Sequence, residues 1–376
     1  MYLMMNPKNR QLCEPSAGVR HEGHMYPGHR LLYMVLWLIT AIVTCSVVFP
    51  GSAFAELELS DGYFTLLDEA DKEIFHTAIV LVPGDMFISE DNSAYEVVTI
   101  EGRVARARFV ETVTLDDNHK TSENAMIQIL SAFARGLSEL FLARPQTGGT
   151  VVLYNTHSDE SYEASSGASS KDWGDVYKVA AVFEQALKKH GFDVVRSTAN
   201  HNPHDGGAYA RSRRTLAQLL KEQPVAAFDI HRDAVPPEAY NATVSGEEVT
   251  KITLVIGQQN QTRGQNLNFA KQLKSATDSK SPGLIKGILW GQGNYNQDML
   301  PRAALLEVGA HTNRLEEAEA AVGMFASSIA SVLAAAAPES GLEPGSPGRS
   351  IAWIIGILVV TGVGYVLMNS GKRQKQ

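Results

Sequence analysis

Residues 225–231 read VAAFDIH, a short apolar run that ends in an acidic residue, an isoleucine and a histidine. Comparable apolar segments occur at 151–155, 252–256 and 303–307, and segments with helical periodicity lie between them. Short buried strands that alternate with helices are typical of a parallel sheet that is covered on both faces. The pattern therefore predicts an α/β fold, a mostly parallel sheet with helices on both faces, for residues 150–337.

The other elements of this domain follow from the same alternation. Further strands are predicted at 192–196 and 284–290, and helices are predicted near 174–190, 209–222, 264–276 and from 314 onward. Residues 56–118 are predicted to form a small β-rich region, with strands at 63–67, 77–81 and 95–100. Residues 119–149 are predicted to be a connecting helix, centred on 124–143, followed by a linker.

An uncharged apolar run at 31–49 lies near the N-terminal end, after a segment 1–30 that is expected to stay in the cytoplasm. The run is long enough to cross a bilayer, which takes about 20 helical residues. A small-residue motif that ends at Ala55 resembles a signal-peptidase site. Residues 31–55 are therefore either a signal peptide or an uncleaved signal anchor, and both alternatives export the residues that follow.

A second uncharged run predicts a transmembrane helix at 351–369. It follows a linker at 338–350, rich in Pro, Gly and Ser, and precedes a basic tail at 370–376. Since basic residues next to a membrane span stay on the cytoplasmic side, the tail is predicted to be cytoplasmic. Residues 56–350 are accordingly expected on the outer side of the cell membrane.

The composition excludes several classes of function. The chain has 376 residues and a net charge of -8, which argues against nucleic-acid binding because few cations are available for a phosphate backbone. Its two cysteines, Cys13 and Cys45, precede the predicted folded region, so disulfide frameworks, thiolate zinc sites and a cysteine nucleophile are excluded there. Any metal would have to be bound by imidazole and carboxylate groups.

Polar residues follow or close three of the predicted strands. His157, Asp159 and Glu160 come after the first strand of the α/β domain, His231 follows the apolar run quoted above, and Glu307 closes the strand at 303–307. Because ligands bind beyond the carboxyl ends of parallel strands, we expect these side chains to converge. Two imidazoles and one carboxylate form a set that leaves zinc an open fourth position for water. Glu307 is the candidate base for the proton of that water.

Each of these residues also has an ordinary structural interpretation. A histidine after a strand is commonly a hydrogen-bonded loop residue, and an acidic residue at a strand end commonly caps a turn. His201 and His204 are predicted to belong to a solvated loop. Asp229 either orients the imidazole of His231 or faces the opposite side. Arg232 either binds an anionic group of a substrate or pairs with a neighbouring side chain.

Three motifs make the chain resemble the stage II sporulation protein P family. They are YNTHSDESY at 154–162, YARSR at 209–213 and FDIHRDA at 228–234. Two further segments fit the same family, NYNQD at 294–298 and LLEVG at 305–309, and the resemblance covers roughly residues 60–335.

This resemblance implies a zinc-dependent peptidoglycan hydrolase that is related in fold to the N-acetylmuramoyl-L-alanine amidases. Such enzymes cut the amide between muramic acid and the stem peptide, and the family is also credited with endopeptidase activity on cross-links. The resemblance places the Zn2+ ligands at His157 and His231 and the catalytic glutamate at Glu307. Glu160 is the matching carboxylate of the first motif, and Asp175 at the start of the next helix is the alternative. Stage II sporulation proteins D and M are the implied partners, at the septum or at the membrane that engulfs the forespore.

Two features depart from the family pattern. Asn155 stands where the family often has a histidine, and a transmembrane helix at the C-terminus is not typical of the family. Neither departure removes a residue of the proposed site, and the C-terminal helix bears on orientation and regulation. Two other functions stay open beside the hydrolase. The chain could be a catalytically inactive wall-binding scaffold of the engulfment machinery, or another exported zinc peptidase.

Overall fold

The computed structural model describes residues 58–59, 61–115 and 148–335. The strands in this part of the chain are β1 Phe64–Leu67, β2 Glu73–Thr77, β3 Met86–Ser89, β4 Ser93–Glu101, β5 Val104–Thr112, β6 Thr150–Tyr154, β7 Asp193–Arg196, β8 Ala226–Asp233, β9 Asn241–Val244, β10 Glu247–Thr250, β11 Ile252–Gly257, β12 Ile285–Gly291 and β13 Ala303–Ala310. The α-helices are α1 Glu163–Ser166, α2 Val176–Lys189, α3 Ala208–Leu219, α4 Arg263–Lys280 and α5 Leu315–Ala334.

Eleven of these strands form one sheet, in the order β2-β1-β5-β4-β3-β12-β11-β13-β8-β6-β7. In the half that begins at β12, the pairs β12–β11, β13–β8, β8–β6 and β6–β7 are parallel, and β11–β13 is antiparallel. A large, mostly parallel sheet is thereby confirmed for the α/β part of the chain.

The β-rich N-terminal region continues this sheet. Strand β3 pairs antiparallel with β12, so that Phe87 lies opposite Leu289. Side chains from β1 to β5 also share a buried cluster with Val255, Leu289 and Leu305 of the α/β part. Because hydrogen bonds and a common core join the two regions, the N-terminal strands help to cover the face of the sheet that carries the candidate site.

Helices lie on both faces of the sheet. Helices α2, α4 and α5 cover one face, where Phe183, Phe228, Phe269 and Phe325 pack around each other with ring centroids 5.5 to 6.3 Å apart. Helix α3 covers part of the other face, where Leu216 belongs to a smaller buried cluster. Successive residues of a strand point to opposite faces of its sheet. Phe228 of β8 therefore packs in the main core, and the neighbouring Ala227 packs in the smaller cluster on the other face.

The sequence located most elements of the α/β part but fewer of the N-terminal region. The predicted strand at 77–81 was wrong, because the structure places β2 at Glu73–Thr77 and the following residues in a loop. Strands β3 and β5 and the hairpin β9–β10 were not predicted. The predicted helix at 124–143 and the membrane segments at 31–55 and 351–369 lie outside the described residues.

Among the described residues, α5 is the one helix that is long and apolar enough to cross a membrane. The same helix packs against α2 and α4 and buries Phe325 and Ile329 in the main core. Length and composition alone therefore do not assign α5 to a membrane.

Replacing Phe228 by Ala tests the core on the helix-covered face. The side chain is fully buried, and the loss of a large aromatic ring from such a site costs about 3–5 kcal/mol of unfolding free energy. Phe109→Ala is the matched control, because Phe109 is 47% exposed and surface substitutions change stability by about 0.5 kcal/mol or less. Urea unfolding followed by circular dichroism should separate the two variants, and equal midpoints would contradict the assignment of Phe228 to the core.

Candidate metal centre

The central residues of the site lie on two neighbouring strands. Strands β8 and β13 run parallel, and His231 lies opposite Glu307 in their register. Asp229 and His231 are two residues apart on β8, so their side chains point to the same face of the sheet. Phe228 and Ile230 point to the other face and pack in the main core.

The predicted ends of these strands were too early. The sequence placed His231 after its strand and Glu307 at the end of its own, but β8 continues to Asp233 and β13 to Ala310. The register shifts between Glu307 and Ala310, and Gly309 has a φ of 74° in this bulge. A Cβ at Gly309 would lie 2.6 Å from a side-chain carbon of Thr250. Glycine therefore allows the strand to bend here while Glu307 stays on the site face.

The loop after β6 brings the second imidazole and a carboxylate to the same place. Nδ1 of His157 lies 3.0 Å from Oε1 of Glu160, and Nδ1 of His231 lies 3.3 Å from the same oxygen. The rings of His157 and His231 have centroids 4.8 Å apart. All three side chains are buried. The structure thus brings together the three residues that the sequence nominated as metal ligands.

Asp175, the alternative to Glu160, is engaged elsewhere. Its carboxylate accepts hydrogen bonds from the backbone N–H of Tyr162 and from the hydroxyl of Ser166, and it pairs with Lys178 at 2.8 Å. These contacts hold the loop 161–175 against the start of α2. The geometry therefore favours Glu160 over Asp175 as the carboxylate of the site.

Asp229 lies at ion-pair distance from His231, although Nε2 of His231 is not aligned for a hydrogen bond with it. Its Oδ1 lies 3.0 Å from Nε2 of His231, and it also accepts a hydrogen bond of 2.8 Å from the backbone N–H of Thr156. Burial lowers the pKa of His231, but the charges of Asp229 and Glu160 outweigh burial and raise it well above its ordinary value. An imidazole whose Nε2 faces a carboxylate presents Nδ1 to the site, the arrangement usual for histidine ligands.

The side chain of Arg232 is buried beside Glu160. Its backbone N–H donates to Oε2 of Glu160 at 3.0 Å, and its guanidinium donates to the carbonyl of Ser169 at 3.1 Å. Its Nη1 lies 4.0 Å from Oε1 of Glu160. In this conformation Arg232 holds the loop that carries Glu160 and balances the charge of that carboxylate.

Glu307 contributes a buried carboxylate beside His231. Within the described part of the chain its Oε2 is buried and has no hydrogen-bond partner. Burial, together with the negative charges of Asp233 and Glu160, raises the pKa of Glu307 well above its ordinary value. A buried polar atom without a partner is costly unless another group satisfies it. This oxygen is therefore suited to contact a water, a proton or a cation in the site.

Two further side chains of the candidate site, those of Glu58 and His204, were not predicted to belong to it from the sequence. Oε1 of Glu58 lies 3.3 Å from Nδ1 of His157, and Oε2 of Glu58 lies 3.2 Å from Nε2 of His204. The ring of His204 stacks on that of His157, with centroids 3.8 Å apart. His204 lies in an exposed loop, as predicted, and its ring also contacts the candidate site, whereas His201 of the same predicted loop is buried. Glu58 gave no signal in the sequence, because it belongs to no motif and precedes the whole sheet.

Two overlapping groups of donor atoms, which share Glu58, have the spacing of a divalent-cation site. Donor atoms of Glu58, His157, Glu160 and His204 lie within 4.8 Å of one another, and so do those of Glu58, His231 and Glu307. His157, His231 and Glu160 do not all belong to one of these groups and are linked instead through the contacts of both imidazoles with Oε1 of Glu160. Imidazole nitrogens and carboxylate oxygens are ligands that zinc accepts, whereas Mg2+ and Ca2+ prefer oxygen alone. The unpartnered oxygen of Glu307 agrees with this fit.

The fold and the site define a class, an α/β protein with a candidate metal centre of imidazoles and carboxylates on its sheet. A family model described as stage II sporulation protein P (SpoIIP) matches residues 86–330. The chain therefore belongs to this family, and the resemblance that its motifs indicated is confirmed.

One curated relative and two solved structures illustrate the similarity. Stage II sporulation protein P of Bacillus subtilis (strain 168) is 29% identical over 199 residues, which are 47% of this chain and 49% of that protein. The chain thus spans about half the length of the curated relative that it matches. An N-acetylmuramyl-L-alanine amidase from Mycobacterium smegmatis has 15% identity and a TM-score of 0.34, over 51% of this chain and 98% of that one. An N-acetylmuramoyl-L-alanine amidase from Clostridium difficile 630 has 16% identity and a TM-score of 0.34, over 52% of this chain and 100% of that one. The family assignment rests on the family model.

Replacing Asp229 by Asn tests its role as the partner of His231. The change leaves the shape of the side chain but removes the charge that orients the imidazole, so zinc affinity should fall by about 10–100-fold. Asp193→Asn is the control, because Asp193 is an exposed aspartate of β7. Competition with a chromophoric chelator measures both affinities, and an unchanged value for Asp229→Asn would show that Asp229 does not orient a ligand.

Proposed function

We propose that this chain is a membrane-tethered peptidoglycan hydrolase that cleaves the amide between N-acetylmuramic acid and L-alanine of the stem peptide. The observation that carries the proposal is that Nδ1 of His157 and Nδ1 of His231 lie 3.0 and 3.3 Å from the same oxygen of Glu160, with the buried carboxylate of Glu307 opposite His231. Membership of the stage II sporulation protein P family supports the substrate class and a role in sporulation.

His157, His231 and Glu160 would hold the metal ion, which we propose to be Zn2+. When bound, such an ion polarises a scissile carbonyl and lowers the pKa of a water to about 7. Asp229 keeps Nδ1 of His231 directed into the site, and Arg232 keeps Glu160 in place through its backbone N–H.

Glu307 moves the proton in this scheme. Water adds its oxygen to the carbonyl carbon, the bond from that carbon to nitrogen breaks, and the amine leaves with one more proton. A carboxylate whose pKa is raised by burial can take a proton from water and return it to the amine within one turnover. The unpartnered Oε2 of Glu307 is the atom at which we place this proton.

The family and the apolar segments support a location at the membrane. We propose that residues 31–55 and 351–369 attach the chain to the cell membrane and that residues 150–337 act outside the cytoplasm, at the forespore septum or the engulfing membrane. Stage II sporulation proteins D and M are the proposed partners. Cleavage of cross-linking peptides is a second proposed activity of the same site.

Paired replacements within the site separate metal binding from proton transfer. His231→Ala should lose both zinc and the release of stem peptides from purified sacculi, because it removes a proposed ligand. Glu307→Gln should keep about one zinc per chain but lose release by about 10²–10⁴-fold, as the loss of a general acid–base group implies. Metal analysis and chromatography of the released peptides measure the two properties, with the exposed residue of Glu247→Gln as control.

The outcome also distinguishes the alternatives. Undiminished release by His231→Ala would reject the site. A wild-type chain that binds zinc and sacculi but releases nothing would instead be a wall-binding scaffold. Release from free cross-linked peptides without any release from intact muropeptides would identify a different zinc peptidase.

A further inference from the structure

The carboxylate of Glu58 lies inside the candidate metal centre, although Glu58 precedes every strand of the sheet. It lies 3.3 Å from His157, and its side chain is 14% exposed. One of its oxygens is also within 4.8 Å of the donor atoms of His231 and Glu307. The carboxylate therefore occupies space on the same side of the imidazoles as the proposed catalytic base.

Backbone hydrogen bonds connect Glu58 to the protein near His231. Glu58 forms an isolated antiparallel bridge with Ile79, and the N–H of Leu59 donates to the carbonyl of Ala78 at 2.9 Å. The N–H of Ala78 in turn donates to Oδ1 of Asp233 at 2.8 Å, two residues after His231. Glu58 is thus tied by two steps of hydrogen bonding to the strand that carries a proposed ligand.

His204 holds the other oxygen of Glu58. Its Nε2 lies 3.2 Å from Oε2 of Glu58, and its Nδ1 lies 3.0 Å from Oδ1 of Asp159. Because the ring of His204 also stacks on His157, the loop that carries it packs against both the carboxylate and a proposed ligand. This contact keeps one oxygen of Glu58 turned to His204 and leaves the other facing His157.

A zinc centre with three protein ligands keeps a position open for water or substrate, whereas a centre with four protein ligands is closed. We infer that Glu58 is a fourth protein ligand, which closes the metal centre in this conformation and holds the hydrolase inactive until Glu58 is withdrawn. The inference rests on the proposed function. It makes the chain immediately after residues 31–55 an inhibitory element.

The contacts of this element suit a reversible block. Among the described residues, Glu58 pairs with the loop after β2 through a single bridge to Ile79 and not through a ladder of hydrogen bonds. Withdrawing it breaks few backbone contacts, in keeping with the low local stability of elements that open for function. The residues that carry His157, His231 and Glu307 need not move.

The test uses the full-length chain with Co2+ in place of zinc, because the visible spectrum of cobalt reports its ligands. Glu58→Ala should change this spectrum and allow azide to bind, whereas the wild-type chain should respond to azide only weakly. Acetate added to Glu58→Ala should restore the wild-type spectrum by refilling the position. Zinc affinity should fall at least about tenfold, as the loss of a ligand costs no less than the loss of its outer partner.

The rate of stem-peptide release should rise in Glu58→Ala, although its zinc affinity falls. At saturating zinc, Glu58→Ala should release stem peptides faster than the wild-type chain. Glu111→Gln, which alters an exposed glutamate of β5, is the control and should match the wild type in every readout. Glu58→Gln takes the place of Glu58→Ala if circular dichroism shows that the alanine variant is unfolded.

Two results would overturn the inference. Equal zinc affinity and equal azide response in the wild type and the variant would show that Glu58 does not reach the metal. Weaker zinc binding together with slower release at saturating zinc would show that Glu58 is a ligand that activity requires, not an inhibitory one. Neither result affects the proposed function, which stands or fails on His231→Ala.

Discussion

The burial of Glu160 between two imidazoles is the constraint on which the site depends. A carboxylate is expensive to bury unless it is paired and hydrogen-bonded. Here one oxygen faces His157 and His231, and the other accepts the backbone N–H of Arg232. Burial alone would raise the pKa of Glu160, but the positive charges of His231 and Arg232 lower it well below its ordinary value. The loop after β6 is therefore fixed to β8 by charge as well as by packing.

The strands of the sheet position the other side chains of the candidate site around this pair. Alternation along β8 sends Phe228 and Ile230 into the core and leaves Asp229 and His231 on the opposite face. The parallel register then places Glu307 next to His231. A proposed ligand, its proposed partner and a candidate base thus lie on two neighbouring strands.

Much of this arrangement was predictable, because it depends on local patterns. Apolar strands followed by His157 or containing His231 are visible in the sequence, and the parallel topology implies that their ends meet. The side of β8 on which Asp229 lies was left open, since it depends on β8 continuing to Asp233. The last pair of these strands, Ala310 with Asp233, forms after a register shift that includes Gly309, and the sequence pattern does not predict this shift.

The role of Glu58 was not predictable for a different reason. It lies 99 positions before His157 in the chain, and it is placed by a one-residue bridge to a segment that the sequence had assigned to a strand. No periodicity encodes such a contact. The Pro, Asn and Gly residues around His204 indicated a solvated loop, and His204 does lie in one; this pattern does not show that its ring packs on His157.

The most direct measurement of the central claim is anomalous diffraction at the zinc edge from crystals of the zinc-loaded protein. The account predicts a single strong peak about 2.0–2.2 Å from Nδ1 of His157, Nδ1 of His231 and one carboxylate oxygen of Glu160. A peak bound through Asp175, or imidazoles that contact no metal in a zinc-loaded crystal, would contradict it.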